Sequence, residues 1–310
     1  MKFFEATATA QALPFPSLIE RLRAMFRAGC HVPARHVHSV QTPNTQGTVL
    51  IMPAWTDRYL GIKTVNIFPD NASQGLPGLF SVYTLFDATT GHGLAQMDGN
   101  VITSRRTAAA SALAASYLMR PDARRLLVVG AGRVSSLLPQ AYRAVMAFDQ
   151  IDIWARKPEA ATALANDLAH QGLPVRAVTD LQAAVRQADV VSCATLATQP
   201  VLCGDWLAPG AHVDLIGSFT PTMREADDAV FSGASLFVDT AEALQKSGEL
   251  LGPLSRGVIS ASSVQGDLAR LCSEGWPGRK SPQERTVFKS VGTALEDLAA
   301  AIAVYEYWSE

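Results

Sequence analysis

The run Leu126-Leu127-Val128-Val129 leads directly into Gly130-Ala131-Gly132-Arg133-Val134-Ser135. A short, wholly apolar, β-branched stretch reads as a buried strand, and Gly-x-Gly at its end reads as a tight turn into a helix. That strand–turn–helix pattern is the pattern of a dinucleotide-binding crevice. Gly130 lets the chain turn sharply, and Gly132 lets the backbone approach a pyrophosphate with no Cβ in the way. The third position is Ser135, small but not the usual Gly or Ala. The N-terminus of the helix expected next offers N–H groups and a positive dipole end to phosphate. A glycine turn that only reverses the chain would look the same in isolation. Here Ile151-Asp152-Ile153-Trp154 reads as the next strand, which sets the glycines inside a β-α-β unit of ordinary size.

Around that unit the alternation continues. Strands are expected at 126–129, 151–154, 175–177, 190–194, 212–216 and 236–238, with helices at 134–147, 159–170 and 181–188, the grammar of a parallel, doubly wound sheet. Upstream the texture is mixed. A helix is expected at 18–28, strands at 47–52, 59–66 and 81–87, and turns at Asp70-Asn71 and Thr90-Gly91. Thr103 or Ser104 is the expected cap of a helix that starts near Arg106 and stops at Pro121-Asp122. A closing amphipathic helix over 290–310 presents Leu295, Leu298, Ala299, Ile302 and Tyr305 on one face. The reading is an α/β chain with a Rossmann-type domain at 121–289 and a second, α+β domain built from 1–120 together with 290–310.

Bulk properties exclude several classes. At 310 residues, 48% hydrophobic and 17% charged, the chain can bury a large core, and a net charge of −2 gives no footprint for nucleic acid. The four cysteines (Cys30, Cys193, Cys203, Cys272) form no CxxC and no metal-ligand cluster, which suits a reducing cytoplasm. The first residues reach an acid before any apolar signal region can form, and no apolar run is long enough to span a membrane. His36 and His38 would share one face of a strand, but no third metal ligand accompanies them, so no metal is expected. No Gly-x-Ser-x-Gly elbow surrounds Ser111, Ser135 or Ser136. At the tip of the second strand, Trp154-Ala155-Arg156-Lys157 holds two cations where NAD-selective sites carry an acid. A guanidinium suits an adenosine 2′-phosphate, so NADP(H) is expected in preference to NAD(H). The plain alternative is that Arg156 and Lys157 only solvate a strand end.

A wider set of residues resembles the ornithine cyclodeaminase/mu-crystallin family. It comprises Pro33-Ala34-Arg35, Met52-Pro53, Gly61-Ile62-Lys63, Pro69-x-Asn71, Leu76-Pro77-Gly78, Thr103-x-x-Arg106-Thr107-Ala108, Gly130-Ala131-Gly132 and Lys289-Ser290-Val291-Gly292-Thr293-Ala294, in order from about residue 30 to the C-terminus. The resemblance implies a Rossmann domain inserted into a substrate-binding and dimerisation domain, and a homodimer. It implies that Arg35, Lys63 and Arg106 hold a substrate α-carboxylate. It also implies cofactor contacts from Arg106, Thr107, the turn Gly130, Ala131, Gly132, Arg133 and Val134, and from Thr195, Ser218, Ser290 and Gly292. The chemistry fits, because a carboxylate drawn into a closed pocket needs cationic hydrogen-bonding partners. Lys63 lies within an apolar strand, an unusual place for a merely solvated lysine, and Arg106 at a helix start would add the dipole to its own charge.

The sequence also departs from the family. Cyclodeaminases resembling it carry an aspartate in a Gly-Gly-Asp-x-Pro segment, needed to shuttle protons between two amines. Here Gly217-Ser218-Phe219-Thr220-Pro221 puts Phe219 in that place, and Leu50-Ile51-Met52-Pro53 lacks the glutamate that precedes Met-Pro. A pocket that grips a carboxylate but has lost its hold on a second amine fits the reductase branch. The expectation is NAD(P)H-dependent reduction of a small cyclic imino acid of the pyrroline-2-carboxylate or piperideine-2-carboxylate type, with Lys63 or a water as proton donor. Ornithine cyclodeamination using Asp70, Asp87 or Asp98 instead, an alanine dehydrogenase-like activity, and an NADPH-loaded storage protein are the alternatives.

Overall fold

The computed structural model describes residues 1–43 and 45–309. The chain forms two compact units, one of Met1–Arg106 with Thr293–Glu310 and one of Thr107–Gly292. The division falls at Arg106 rather than at residue 120, inside the continuous helix Gly99–Leu118.

In the first unit β1 (Lys2–Phe4), β2 (His36–Thr42), β3 (Thr45–Trp55), β4 (Tyr59–Ile67), β5 (Leu79–Asp87) and β6 (Gly93–Asp98) form one sheet in the order β1-β6-β5-β4-β3-β2. All neighbours are antiparallel except β1 and β6. Strict alternation along β4 turns Tyr59, Gly61, Lys63 and Val65 to the buried face and leaves Leu60, Ile62 and Thr64 half-exposed on the other. The C-terminal helix Ala294–Tyr307 packs on β3 to β6 and on the helix Phe15–Ala28.

Two helix starts differ from expectation. The helix expected near Arg106 begins at Gly99, because Asp98, not Thr103 or Ser104, caps it by accepting from the Val101 N–H at 2.8 Å. Thr103 and Ser104 instead donate back to the carbonyls of Gly99 and Asn100. Arg106 therefore sits two turns into the helix, beyond the reach of the terminal dipole invoked for it. The closing helix begins at Ala294 rather than at Ser290. Gly292 turns at φ +77°, and Asp239 takes the N–H groups of Val291 and Gly292 at 2.7 and 2.6 Å, which keeps them out of a helix. Glu310, the expected helix end, lies outside the described residues.

The second unit holds β7 (Arg125–Val129), β8 (Gln150–Trp154), β9 (Val175–Ala177), β10 (Val190–Cys193), β11 (His212–Leu215), β12 (Ser235–Val238), β13 (Val264–Asp267) and β14 (Thr286–Lys289). They form an all-parallel sheet in the order β13-β12-β14-β11-β10-β7-β8-β9, the Rossmann-type fold that the alternation foretold. Its central strands are buried on both faces, as covered parallel sheets require. The helix expected at 134–147 is reduced to Leu138–Arg143. Pro139 has no N–H to bond back to residue 135, so it fits the first turn of a helix and not the interior of one begun at Val134.

Candidate functional site

The first unit gathers four buried charges. Lys63 projects from the inner face of β4 and is 2% exposed, and Arg106 is 6% exposed. Both meet Asp297, in the first turn of the C-terminal helix. Lys63 Nζ lies 2.5 Å from Asp297 Oδ2, and Arg106 Nε donates to Asp297 Oδ1 at 2.8 Å. Arg106 Nη1 donates to Glu296 Oε2 at 2.7 Å, and Lys63 Nζ to Thr103 Oγ1 at 3.3 Å. Burial pulls the Lys63 ammonium below its ordinary pKa, and the Asp297 charge opposes that pull. Burial would raise the Asp297 carboxyl, but the charges of Lys63 and Arg106 outweigh it and hold Asp297 below its usual range.

The sheet register extends this site. Met52, Lys63, Tyr83 and Met97 face one another across β3, β4, β5 and β6. His36 pairs with Ile51, so Arg35, one residue before β2 and half-buried, heads the same row. Tyr83 is buried, and its hydroxyl has no hydrogen-bond partner among the described residues. A Cβ on Gly61 would come within 1.9 Å of that oxygen, so the glycine of Gly61-Ile62-Lys63 makes room for the tyrosine. Burial, then the Asp297 charge, drives the Tyr83 pKa well above its ordinary value, so at neutral pH it is a hydroxyl donor and not a base.

Sequence reasoning missed Asp297, Glu296 and Tyr83. Acids in a helix's first turn are commonplace, which disguises them. A signal existed: Ala300, Ala301 and Val304 share a helix face with Asp297 and are apolar, so that carboxylate has no solvent face to occupy. The carboxylates weighed as substitutes for the cyclodeaminase aspartate are occupied elsewhere. Asp98 caps a helix, Asp87 is half-buried and accepts from Thr89 and Thr90, and Asp70 lies in the short helical turn Pro69–Gln74.

In the second unit the glycine turn has the shape a dinucleotide requires. Gly130 adopts φ +127°, and a Cβ there would stand 2.6 Å from the Ala194 carbonyl oxygen. At Gly132 a Cβ would meet nothing within 4 Å, so its outer side is open. Ser135 is buried and donates to the Ala194 carbonyl at 3.2 Å, filling the third-glycine position as a packing residue. Ala131 and Val134 are half-buried and Arg133 is exposed. These residues fit a pyrophosphate in shape, with backbone access where the fingerprint demands it.

At the end of β8, Arg156 and Lys157 are exposed, and neither side chain has a hydrogen bond or ion pair among the described residues. Asp152, the nearest acid, is held by Arg176 at 2.7 Å. Thr195 follows β10 and gives its N–H and hydroxyl to Glu225 at 2.7 and 2.8 Å. Ser218 is wholly buried, donating to the Met223 carbonyl and accepting from the Glu249 N–H, so its hydroxyl serves the protein's own interior. Ser290 and Gly292 follow β14, and Thr107 is half-buried on the helix Gly99–Leu118. His36 and His38 stack at 6.4 Å on the exposed edge strand β2. Among the described residues no helix is long and apolar enough to cross a membrane.

An all-parallel sheet with a glycine turn at a strand end, joined in one chain to a unit bearing buried cations, defines an α/β protein of the Rossmann-type nucleotide-binding class. The sequence profile described as "Ornithine cyclodeaminase/mu-crystallin family" matches residues 8–310, and the chain belongs to that family. It is 44% identical over 278 residues to the Delta(1)-pyrroline-2-carboxylate reductase of Paracoccus denitrificans, covering 89% of this chain and 88% of that protein. It is 36% identical over 284 residues to ketimine reductase mu-crystallin of Rattus norvegicus, covering 91% and 86%. The solved Delta(1)-pyrroline-2-carboxylate reductase of Thermococcus litoralis, in complex with NADH and L-proline, superposes with a TM-score of 0.92 at 29% identity, covering 99% of this chain and 97% of that one.

Proposed function

We propose that this protein is an NAD(P)H-dependent reductase of small cyclic imino acids of the pyrroline-2-carboxylate or piperideine-2-carboxylate type. The observation that carries the reading is the convergence of Lys63 and Arg106 on one buried point. Holding a dinucleotide gives no reason to bury two cations in the other unit, so storage alone does not account for them. Both relatives found by sequence are reductases by name, and the solved relative holds NADH with L-proline, a cyclic amino acid of the product class.

In this reading Lys63, Arg106 and Arg35 hold the substrate carboxylate. Asp297 and Glu296 keep the cations aligned and charged while no anion is bound. Lys63 is also the proton donor toward the imine nitrogen, an assignment favoured by its lowered pKa and its contact with Asp297. Within the second unit, the turn Gly130–Val134 with Thr107, Thr195, Ser218, Ser290 and Gly292 holds the dinucleotide. Ser218 contributes there through the packing of its turn, not through its hydroxyl. When bound, the reduced nicotinamide supplies the hydride that the imine carbon accepts. Arg156 and Lys157 favour NADP(H) over NAD(H), and the capture of Asp152 by Arg176 removes the acid that would select NAD(H). The unbridged cysteines suit a cytoplasmic home.

The test is a parallel assay of the purified protein with pyrroline-2-carboxylate plus NADPH or NADH, ornithine plus NAD, and alanine plus NAD(P). Loss of 340-nm absorbance with the imine, and no proline from ornithine, is the expected result. Proline and ammonia from ornithine, or inactivity with the imine despite tight NADPH binding, would overturn the reading.

A further inference from the structure

The second unit contains a buried ionic network that the reduction chemistry does not use. Lys289 ends β14, is fully buried, and donates to the Leu215 carbonyl at the end of β11 at 2.9 Å. Burial pulls its ammonium below the ordinary pKa, and the charges of Glu225, Glu249, Asp239 and Asp214 oppose that pull. Each grips backbone or side-chain donors near the carboxyl ends of the parallel strands. Glu225 accepts from the Thr195 N–H and hydroxyl after β10 and from the Gly217 N–H at 2.6 Å after β11. Asp239, at the end of β12, accepts from the N–H groups of Val291 and Gly292 after β14. Glu249 accepts from the N–H groups of Glu225 and Ala226, which fixes the backbone that carries Glu225. Asp214 accepts from Tyr142 and Ser192.

The packing is as tight as the bonding. A Cβ on Gly217 would lie 1.9 Å from the Thr195 carbonyl oxygen and 2.6 Å from Glu225 Oε1, so the turns after β10 and β11 touch through that glycine. Both Glu225 oxygens receive donors, an arrangement suited to the ionised carboxylate. Burial raises the Glu225 carboxyl to about 8 even against the Lys289 charge, the leading influence that pulls it down.

In parallel α/β sheets, ligands bind outside the carboxyl ends of the strands. We propose that Lys289 and Glu225 are positioning residues for the dinucleotide, locking together the turns after β10, β11 and β14 on which Thr195, Ser218, Ser290 and Gly292 stand. This rests on the dinucleotide reading of those turns. Neither residue touches the cofactor; each acts by fixing backbone that would. Because the locked turns are remote in sequence from Arg156 and Lys157, the effect should be the same for NADH and NADPH. It should also leave the imino-acid site of the first unit unaltered.

The experiment compares wild-type protein with Lys289→Met, Glu225→Gln and the double variant. It reads dissociation constants for NADPH and NADH by nucleotide fluorescence, and kcat and imino-acid KM at saturating NADPH. Lys289→Met is expected to weaken both nucleotides by about tenfold, with imino-acid KM unchanged. The double variant should bind better than Lys289→Met alone, because Glu225→Gln removes the carboxylate left uncompensated in the interior. A general packing defect would not produce that partial rescue. If Lys289→Met does not fold, Glu225→Gln alone must still weaken both nucleotides with KM unchanged. Unchanged nucleotide binding in the folded variants, loss of imino-acid KM in parallel, or no rescue in the double variant would overturn the proposal. If wild-type protein binds neither nucleotide, the dinucleotide reading itself fails, a result separable from variants that bind as wild type does.

Discussion

At the scale of single residues, Lys63 was legible in the sequence because a lysine stood where a period-2 strand turns inward. Its partner was not, because Asp297 lies more than two hundred residues away and looks like an ordinary first-turn acid. The pair makes a sharp prediction about pH. Lys63 is already held below its ordinary pKa by burial, and the Asp297 charge is the largest influence that resists the fall. Asp297→Asn removes that charge, so the Lys63 pKa must drop further. If protonated Lys63 is needed, activity is lost as pH rises through its pKa. The alkaline limb of kcat/KM should therefore move to lower pH, by about one unit or more. The pH–rate profile of the variant measures this, with NADPH affinity as the control that should not change. An unmoved alkaline limb would mean that Lys63 does not carry the titrating proton.

At the scale of elements, the parallel sheet was legible strand by strand because short β-branched runs recur between helical stretches. The strands that escaped had weaker texture. Thr286–Lys289 is four residues long and ends in a lysine, yet it lies between β11 and β12 with every residue buried. What steadies that lysine is the Leu215 carbonyl at the end of β11 and the charges of acids from other segments, which no local pattern encodes. Helix starts were misread for a related reason: Asp98 competed with two later cap residues, and only the Val101 hydrogen bond decides between them. The tip of β8 is the element whose reading can be tested most directly. Arg156 is exposed there with no intramolecular partner among the described residues, so its removal leaves no buried group unsatisfied. Arg156→Ala should weaken NADPH by about tenfold, the worth of one charge-assisted phosphate contact, and leave NADH nearly unchanged. Equal losses for both nucleotides, measured by titration, would remove the 2′-phosphate role.

At the scale of the whole molecule, the sheet of the first unit is asymmetric. One face packs against the C-terminal helix and carries the charged row; the other carries Ile51, Leu60 and Ile62, half-buried, and Phe80 and Val82, exposed. Phe80 and Val82 remain 44% and 48% exposed, and Trp55 37%. Monomeric proteins seldom leave large contiguous apolar patches open to water. The homodimer implied by the family resemblance would bury this face against a second copy of itself, since a twofold interface uses one self-complementary patch twice. A stable contact of this kind needs roughly 1,200–2,000 Å² in total, a size that a six-stranded face can supply. A charge at its centre should prevent closure, because an unpaired buried carboxylate costs several kcal/mol. Val82→Glu is predicted to convert the protein from dimer to monomer in sedimentation velocity. Val82 points away from the Lys63 row, so the folded monomer should still bind NADPH. Wild-type protein that sediments as a monomer, or a Val82→Glu variant that remains dimeric, would show that this face serves another purpose.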